Sequence, residues 1–155
     1  AVARLAEAFG MRVLVGALPG REREDRPGLA ALLEQVDVLS LHCPLTEHTR
    51  NLIGAKQLAS MRKGSLLINA GRGGLVNEQA LADSLRAGPL GGAACDVLTA
   101  EPPRDGNPLL DPQIPNLVIT PHSAWGSREA RQRIVGQLAE NLQAFTQGQA
   151  LRRVN

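Results

Sequence analysis

The chain has 155 residues, 43% of them hydrophobic, 21% charged and 2% aromatic, with a formal net charge of +2. That is the length of one domain, with enough apolar residues for a core and a composition that excludes disorder. The small net charge, scattered arginines and scarce aromatic residues argue against nucleic-acid and membrane partners, and no apolar run approaches the ~20 residues of a bilayer span.

Cys43 and Cys95 lie in separate apolar runs and belong to no Cys-x-x-Cys pair. No His/Cys cluster has metal spacing, so both read as buried reduced thiols of a cytoplasmic protein without a metal site. The start, Ala1-Val2-Ala3-Arg4, carries neither an initiator methionine nor a signal peptide and begins in mid-helix pattern. A piece of a longer protein is therefore expected.

Val2, Leu5, Ala6 and Phe9 fall on one helical face, and Gly10 ends that helix. Met11 to Val15 reads as a buried strand, and the Pro/Gly/charge-rich segment Pro19 to Gly28 as exposed loop. Leu29 to Gln35 predicts a short helix, and Val36 to Leu41 a second strand closed by His42-Cys43-Pro44. A helix over Gly54 to Met61 leads to the third strand, Ser65 to Asn69, which runs into the turn Ala70-Gly71-Arg72-Gly73-Gly74. Asn77 is placed to cap a helix containing Gln79 to Leu85, ended by Gly88-Pro89. Gly91 to Val97 is a fourth strand, Leu98 to Pro115 a loop with five prolines, and Asn116 to Thr120 a fifth strand. The last helix spans about Ser127 to Gln147, with Ile134, Leu138, Asn141, Leu142 and Phe145 at helical intervals.

Strands alternating with helices predict βαβ units, a parallel sheet and right-handed crossovers. Leu66-Leu67-Ile68 is apolar on both faces, as expected where helices cover both sides of a sheet.

Parallel strands put their carboxyl ends on one edge, where open α/β sheets bind ligands. Arg72 follows the third strand, Asp96 ends the fourth with Glu101 beyond it, and His122 follows the fifth. Singly, each has a plainer reading: Arg72 as a solvated turn charge, His122 as a structural histidine, Glu101 as a loop residue. Together they suit reduction of a 2-oxo acid. An arginine grips a carboxylate through two parallel N–H···O bonds that lysine does not reproduce. A histidine, with a reference pKa of about 6.5, can give or take the carbonyl proton. A glutamate beside it would favour the imidazolium and fix its ring. His42 is open between a strand-end core group and a cofactor contact, and Trp125 between core and pocket wall.

Four stretches in order carry a family resemblance. They are His42-Cys43-Pro44-Leu45-Thr46-Glu47-His48-Thr49-Arg50-Asn51-Leu52-Ile53, Asn69-Ala70-Gly71-Arg72-Gly73-Gly74-Leu75-Val76, Asp96-Val97-Leu98 through Glu101-Pro102, and Thr120-Pro121-His122. Over essentially its whole length the chain resembles the D-isomer-specific 2-hydroxyacid dehydrogenases. The segment His122 to Arg131 looks most like the glycerate dehydrogenase (hydroxypyruvate reductase) branch.

The resemblance implies a catalytic set of Arg72, Glu101 and His122. It implies cofactor contacts from His42, Cys43, Pro44, Thr49, Ala70, Gly71, Arg72, Asp96, His122, Ala124 and Gly126, with Arg72 and Trp125 facing substrate. It also implies an NAD(P) cofactor, a small 2-oxo or 2-hydroxy acid as partner, and a homodimer. A rival reading within the resemblance is a non-enzymatic NAD(H)-sensing protein of the corepressor type, a branch with the same three residues and a similar tryptophan.

Two departures matter. The family's Gly-x-Gly-x-x-Gly turn is absent, so the expected fold is an α/β Rossmann-type doubly wound parallel sheet lacking its first strand. Without that strand, Met11–Val15 and Val36–Leu41 are expected to have no neighbour linking them to the Ser65–Asn69 strand. The expected division is a partial dinucleotide-binding domain over 1–126, and a C-terminal helix and tail over 127–155 leading back to a substrate domain. Secondly, Ala17 stands at or next to the position of the family's NAD-selecting aspartate. Its loss removes a repulsion of a 2′-phosphate, and Arg21 and Arg23 just beyond are placed to bind one. NADP use is the expectation from that pattern, with solvated loop charges as the alternative.

Overall fold

The computed structural model describes residues 1–153. They form two compact units, residues 1–121 and residues 122 onward.

The first unit is built on a four-stranded sheet of β1 (Val38–Leu41), β2 (Leu66–Asn69), β3 (Gly92–Cys95) and β4 (Leu117–Ile119), side by side in chain order. Every pairing is parallel: Leu41 lies opposite Asn69, Asn69 opposite Cys95, and Cys95 opposite Ile119. The helices are α1 (Val2–Ala8), α2 (Leu29–Leu33), α3 (Ala55–Ala59) and α4 (Glu78–Ala87). The proline-rich segment before β4 contains a 3₁₀ turn, Pro108–Leu110, capped by the Asn107 side chain, which accepts from the Leu109 N–H at 2.9 Å. The parallel Rossmann-type sheet is the one expected from the alternating pattern.

Two expectations are corrected. Met11 to Val15 forms no strand, and Met11 and Val15 are exposed. A strand persists only where a neighbour accepts its N–H groups and donates to its carbonyls, and none of the described strands lies beside this stretch. Val36 to Leu41, by contrast, needs no intermediary. Its core, β1, pairs directly with β2 in the register Val38 with Leu66.

Within the first unit, the helices that connect successive strands, α3 and α4, cover one face of the sheet rather than both. Leu67 and Asn69 are 0% and 2% exposed, whereas the alternate residues Leu66 and Ile68 are 42% and 36% exposed. A sheet whose strands follow one another in a single direction, with right-handed crossovers, places every connecting helix on the same side. That covered side holds the core, in which Leu33, Ile53, Leu58, Leu67, Leu75 and Leu81 are the large fully buried side chains.

The connection after β2 shows how local chemistry sets the boundaries. Asn77 caps α4 by accepting from the Ala80 N–H at 2.9 Å, and Glu78 adds a carboxylate to the positive end of the helix. Leu81, Ala82 and Leu85 line the buried face, and Asp83 and Arg86 are exposed.

The second unit contains α5 (Arg128–Thr146), capped by the Ser127 hydroxyl accepting from the Ala130 N–H at 3.1 Å. Gly148 follows the helix end in a left-handed conformation with φ 68°. Arg152 folds back to donate to Asn141 at 3.0 Å and pairs with Glu140. Ile134, Leu138, Leu142 and Phe145 form an exposed apolar stripe along α5. No helix among the described residues is long and apolar enough to cross a membrane.

Replacing Asn77 with alanine removes the α4 cap and should destabilise the protein by about 1 kcal/mol, whereas Asn77→Asp should cost little. Urea unfolding midpoints of the two variants check both outcomes.

Candidate active site

The carboxyl ends of β1, β2 and β3 release three loops from one edge of the first unit. His42, Cys43 and Pro44 follow β1. His42 is exposed, and its Nε2 lies 2.9 Å from the Ser40 hydroxyl. Thr49 is 3% exposed and closes its loop, donating its hydroxyl to the Pro44 carbonyl and accepting from the Thr46 N–H, both at 2.7 Å. Its hydroxyl is thus a staple within residues 44–49.

Arg72 sits in the turn after β2. That turn is bracketed by Asn69, whose amide donates to the Arg72 carbonyl at 3.0 Å while its oxygen accepts from the Gly71 N–H at 3.2 Å. Asn69 is 2% exposed, so both ends of its side chain are spent on holding this turn. The Arg72 side chain is exposed and its Nη1 donates back to the Gly71 carbonyl at 2.8 Å. The cation is therefore displayed at the edge on a backbone fixed from below.

Asp96 ends β3. It is 7% exposed, its backbone N–H donates to the Asn69 carbonyl at 2.9 Å, and its Oδ1 accepts from the Thr120 hydroxyl. A nearly buried carboxylate is stable only when hydrogen-bonded, and the Thr120 bond also ties the ends of β3 and β4 together. Glu101 follows, before a cis peptide bond to Pro102. Its Oε1 accepts from the Leu98 N–H at 2.8 Å.

The Arg72 turn and the Glu101 loop meet at Gly73. A Cβ there would lie 1.8 Å from the Leu98 carbonyl oxygen and 2.8 Å from the Thr99 nitrogen. Only glycine allows the two backbones this close. The structure thus brings together the segments that carry Arg72 and Glu101.

His122, Ala124, Trp125 and Gly126 belong to the second unit. His122 has φ 52°, uncommon for a residue with a side chain. Its carbonyl accepts from the Trp125 indole N–H at 3.0 Å, and Gly126 N–H donates to the Ser123 carbonyl at 2.8 Å. Trp125, expected as a wall facing substrate, thus has its polar atom engaged by the backbone of His122. Arg21 lies in a tight exposed turn, its N–H donating to the Leu18 carbonyl at 2.9 Å. Arg23 is held by Asp25 through a fork of two bonds at 2.8 and 2.9 Å.

Asn69, Glu78 and Asn107 are the site-supporting residues that the sequence reading assigned no role at this edge. The available signal for Asn69 was a polar residue ending an otherwise apolar strand.

Residues 1–124 match the family model described as D-isomer specific 2-hydroxyacid dehydrogenase, NAD binding domain. The chain belongs to that family. It is 48% identical over 147 residues to a glycerate dehydrogenase of Methylorubrum extorquens, covering 95% of this chain and 46% of that protein. Among solved structures it superposes on a D-isomer specific 2-hydroxyacid dehydrogenase of Lactobacillus delbrueckii ssp. bulgaricus in its NAD complexed form. The TM-score is 0.81 at 32% identity, covering 97% of this chain and 50% of that one. An acyclic imino acid reductase in complex with NADPH and D-Arg superposes with a TM-score of 0.84 at 32% identity, covering 99% and 49%. The chain spans about half the length of the relatives it matches.

Burial pushes the Cys95 thiol up to about 12, with the Glu78 charge adding to the effect, and burial also raises Cys43. Because the folded-state value of Cys95 lies above that of the unfolded chain, its contribution to stability is complete below about 9 and is lost as pH rises toward 12. A thiol reagent at pH 8 should label half-exposed Cys43 and spare buried Cys95 in the native protein. Mass spectrometry of the labelled peptides checks this.

Gly73→Ala should destabilise the protein by ~1–3 kcal/mol or more through backbone overlap. Gly136→Ala, on α5 with nothing within 4 Å of the added Cβ, should stabilise by ~0.5–1 kcal/mol. Thermal melts of the two variants should shift in opposite directions.

Proposed function

We propose that the chain is part of an oxidoreductase that moves a hydride between a nicotinamide cofactor and a small D-2-hydroxy acid or 2-oxo acid, of the glycerate/hydroxypyruvate or glyoxylate type. The observation that carries this reading is the close approach of the Arg72 turn and the Glu101 loop at Gly73, on the sheet edge of a chain belonging to this dehydrogenase family.

Arg72 holds the substrate carboxylate. Its guanidinium is free to leave its own turn, because the bond it makes there is to an exposed carbonyl that water can satisfy. His122 gives the carbonyl oxygen its proton in reduction and takes it in oxidation, and Glu101 orients that histidine. These roles rest on the resemblance of the three motifs.

The residues at the edge fit the nicotinamide end of a dinucleotide. The Asp96 carboxylate and the backbone carbonyls at the strand ends are acceptors suited to a carboxamide N–H. The cofactor, when bound, supplies or receives the hydride. Asp96 fixes the amide, and the loop closed by Thr49 shapes the neighbouring wall. Ala17 in place of an acidic residue, with Arg21 after it, supports acceptance of a 2′-phosphate.

The test is hydroxypyruvate-dependent oxidation of NADH and NADPH by the full-length protein. Arg72→Lys should lower kcat/KM for the oxo acid by roughly 100-fold, since a bidentate grip becomes a point charge. Arg21→Ala should lower kcat/KM for NADPH more than for NADH. Tight dinucleotide binding without turnover would instead favour a nucleotide-sensing role.

A further inference from the structure

We infer that Glu78 is a positioning residue for Glu101, fixing the loop that carries it against the turn that carries Arg72. This rests on the function proposed for Glu101.

Four residues, Val97 to Ala100, link Asp96 to Glu101, and the middle two, Leu98 and Thr99, are held at three points. Leu98 N–H donates to Glu101 Oε1 at 2.8 Å. The Leu98 carbonyl packs on Gly73, where no Cβ intervenes. Thr99 N–H donates to Glu78 Oε1 at 2.7 Å. Glu78 Oε2 meanwhile accepts from the Asn107 amide at 2.8 Å, and the Asn107 oxygen caps the 3₁₀ turn. One carboxylate thus ties both ends of the loop around Glu101, residues 99 and 107, to a single point.

That point is rigid. Glu78 begins α4, whose following turns bury Leu81 and Leu85 in the core. The positive helix end favours the carboxylate there, and N–H bonds to an ionised acceptor are stronger than neutral ones. The Glu101 carboxylate binds the N–H next along the chain from the one Glu78 holds. A shift of Thr99 therefore moves the anchor of Glu101 directly.

Glutamine cannot replace Glu78 here. Its oxygen could serve Thr99, but its amide would then face the Asn107 amide, donor against donor. Turning Asn107 over would put its amide against the Leu109 N–H. Asn107→Ser is a milder probe, because serine keeps an acceptor for the 3₁₀ cap and removes only the donor to Glu78.

The test is a double-mutant cycle in the full-length protein, following oxo-acid reduction with NAD(P)H, with melting temperature and dinucleotide Kd measured alongside. Glu101→Gln should lower kcat, and an unchanged rate overturns the role of Glu101 itself. Given that loss, Glu78→Gln should lower kcat by ~10- to 100-fold, as expected for misplacement of a catalytic group, with dinucleotide Kd unchanged. The pH profile of kcat should move in the same direction in both variants. In the Glu101→Gln background, Glu78→Gln should cost nothing further. An equal cost in both backgrounds, or no cost in the wild-type background, overturns the inference. If Glu78→Gln melts before the assay temperature, Asn107→Ser carries the same comparison with a smaller loss of the same sign.

Discussion

Parallel pairing of β2 between β1 and β3 is the constraint from which the arrangement of the site follows. It sends Leu41, Asn69 and Cys95 to one level of the sheet, so the loops after them must begin as neighbours. They have little room to separate. Asp96 N–H is already bonded to the Asn69 carbonyl, and the Arg72 turn leaves from the same asparagine. Two loops that start one strand apart and turn over the same edge meet unless something holds them off. Here nothing does, because residue 73 is glycine and the Leu98 carbonyl occupies the space of its missing side chain.

Polar groups at this edge are buried at a density that apolar packing alone would not tolerate. Asn69, Asp96 and Thr49 are each under 10% exposed. Each has a partner through which it shapes the backbone: Asn69 the Arg72 turn, Asp96 the end of β4 through Thr120, Thr49 the loop after β1. A buried polar group left unpaired costs on the order of 1–3 kcal/mol, and a paired one adds about 1 kcal/mol. Such residues therefore specify loop geometry more than they stabilise the fold. The same holds for Glu78, half-buried, which spends both carboxylate oxygens on loop N–H groups.

Alternation of strand and helix signals made the parallel sheet legible, since local apolar runs and caps such as Asn77 are encoded within a few residues. Met11 to Val15 departs from its strand pattern for the opposite reason. Its apolar run satisfies the pattern of a strand, but strand formation is decided by a partner, and no partner is written into the run itself. The one-sided covering of the sheet was likewise hidden. Leu66, Leu67 and Ile68 are equally apolar, and only the strand order reveals which of them face the helices. Arg72 and Glu101 could be singled out from their positions after strands. Glu78 could not, because a glutamate in the first turn of a helix is fully accounted for by the helix dipole. Its bonds to Thr99 and Asn107 depend on a loop whose path the sequence does not display.

The contrast between backbone and side chain at Arg72 bears on how such an edge can work. The turn beneath it is pinned by two side-chain bonds from Asn69 and by contact with Leu98. The guanidinium above is exposed and donates back to its own turn. A fixed base keeps the cation within reach of one place, so little ordering of the backbone opposes binding. A mobile head lets the fork align with a carboxylate that arrives from solvent. Placing the rigidity in the backbone and the adjustment in the side chain requires that residue 73 have no side chain, since any Cβ would push the Glu101 loop away from the turn. Gly73 thereby governs the spacing between the turn that carries Arg72 and the loop that carries Glu101.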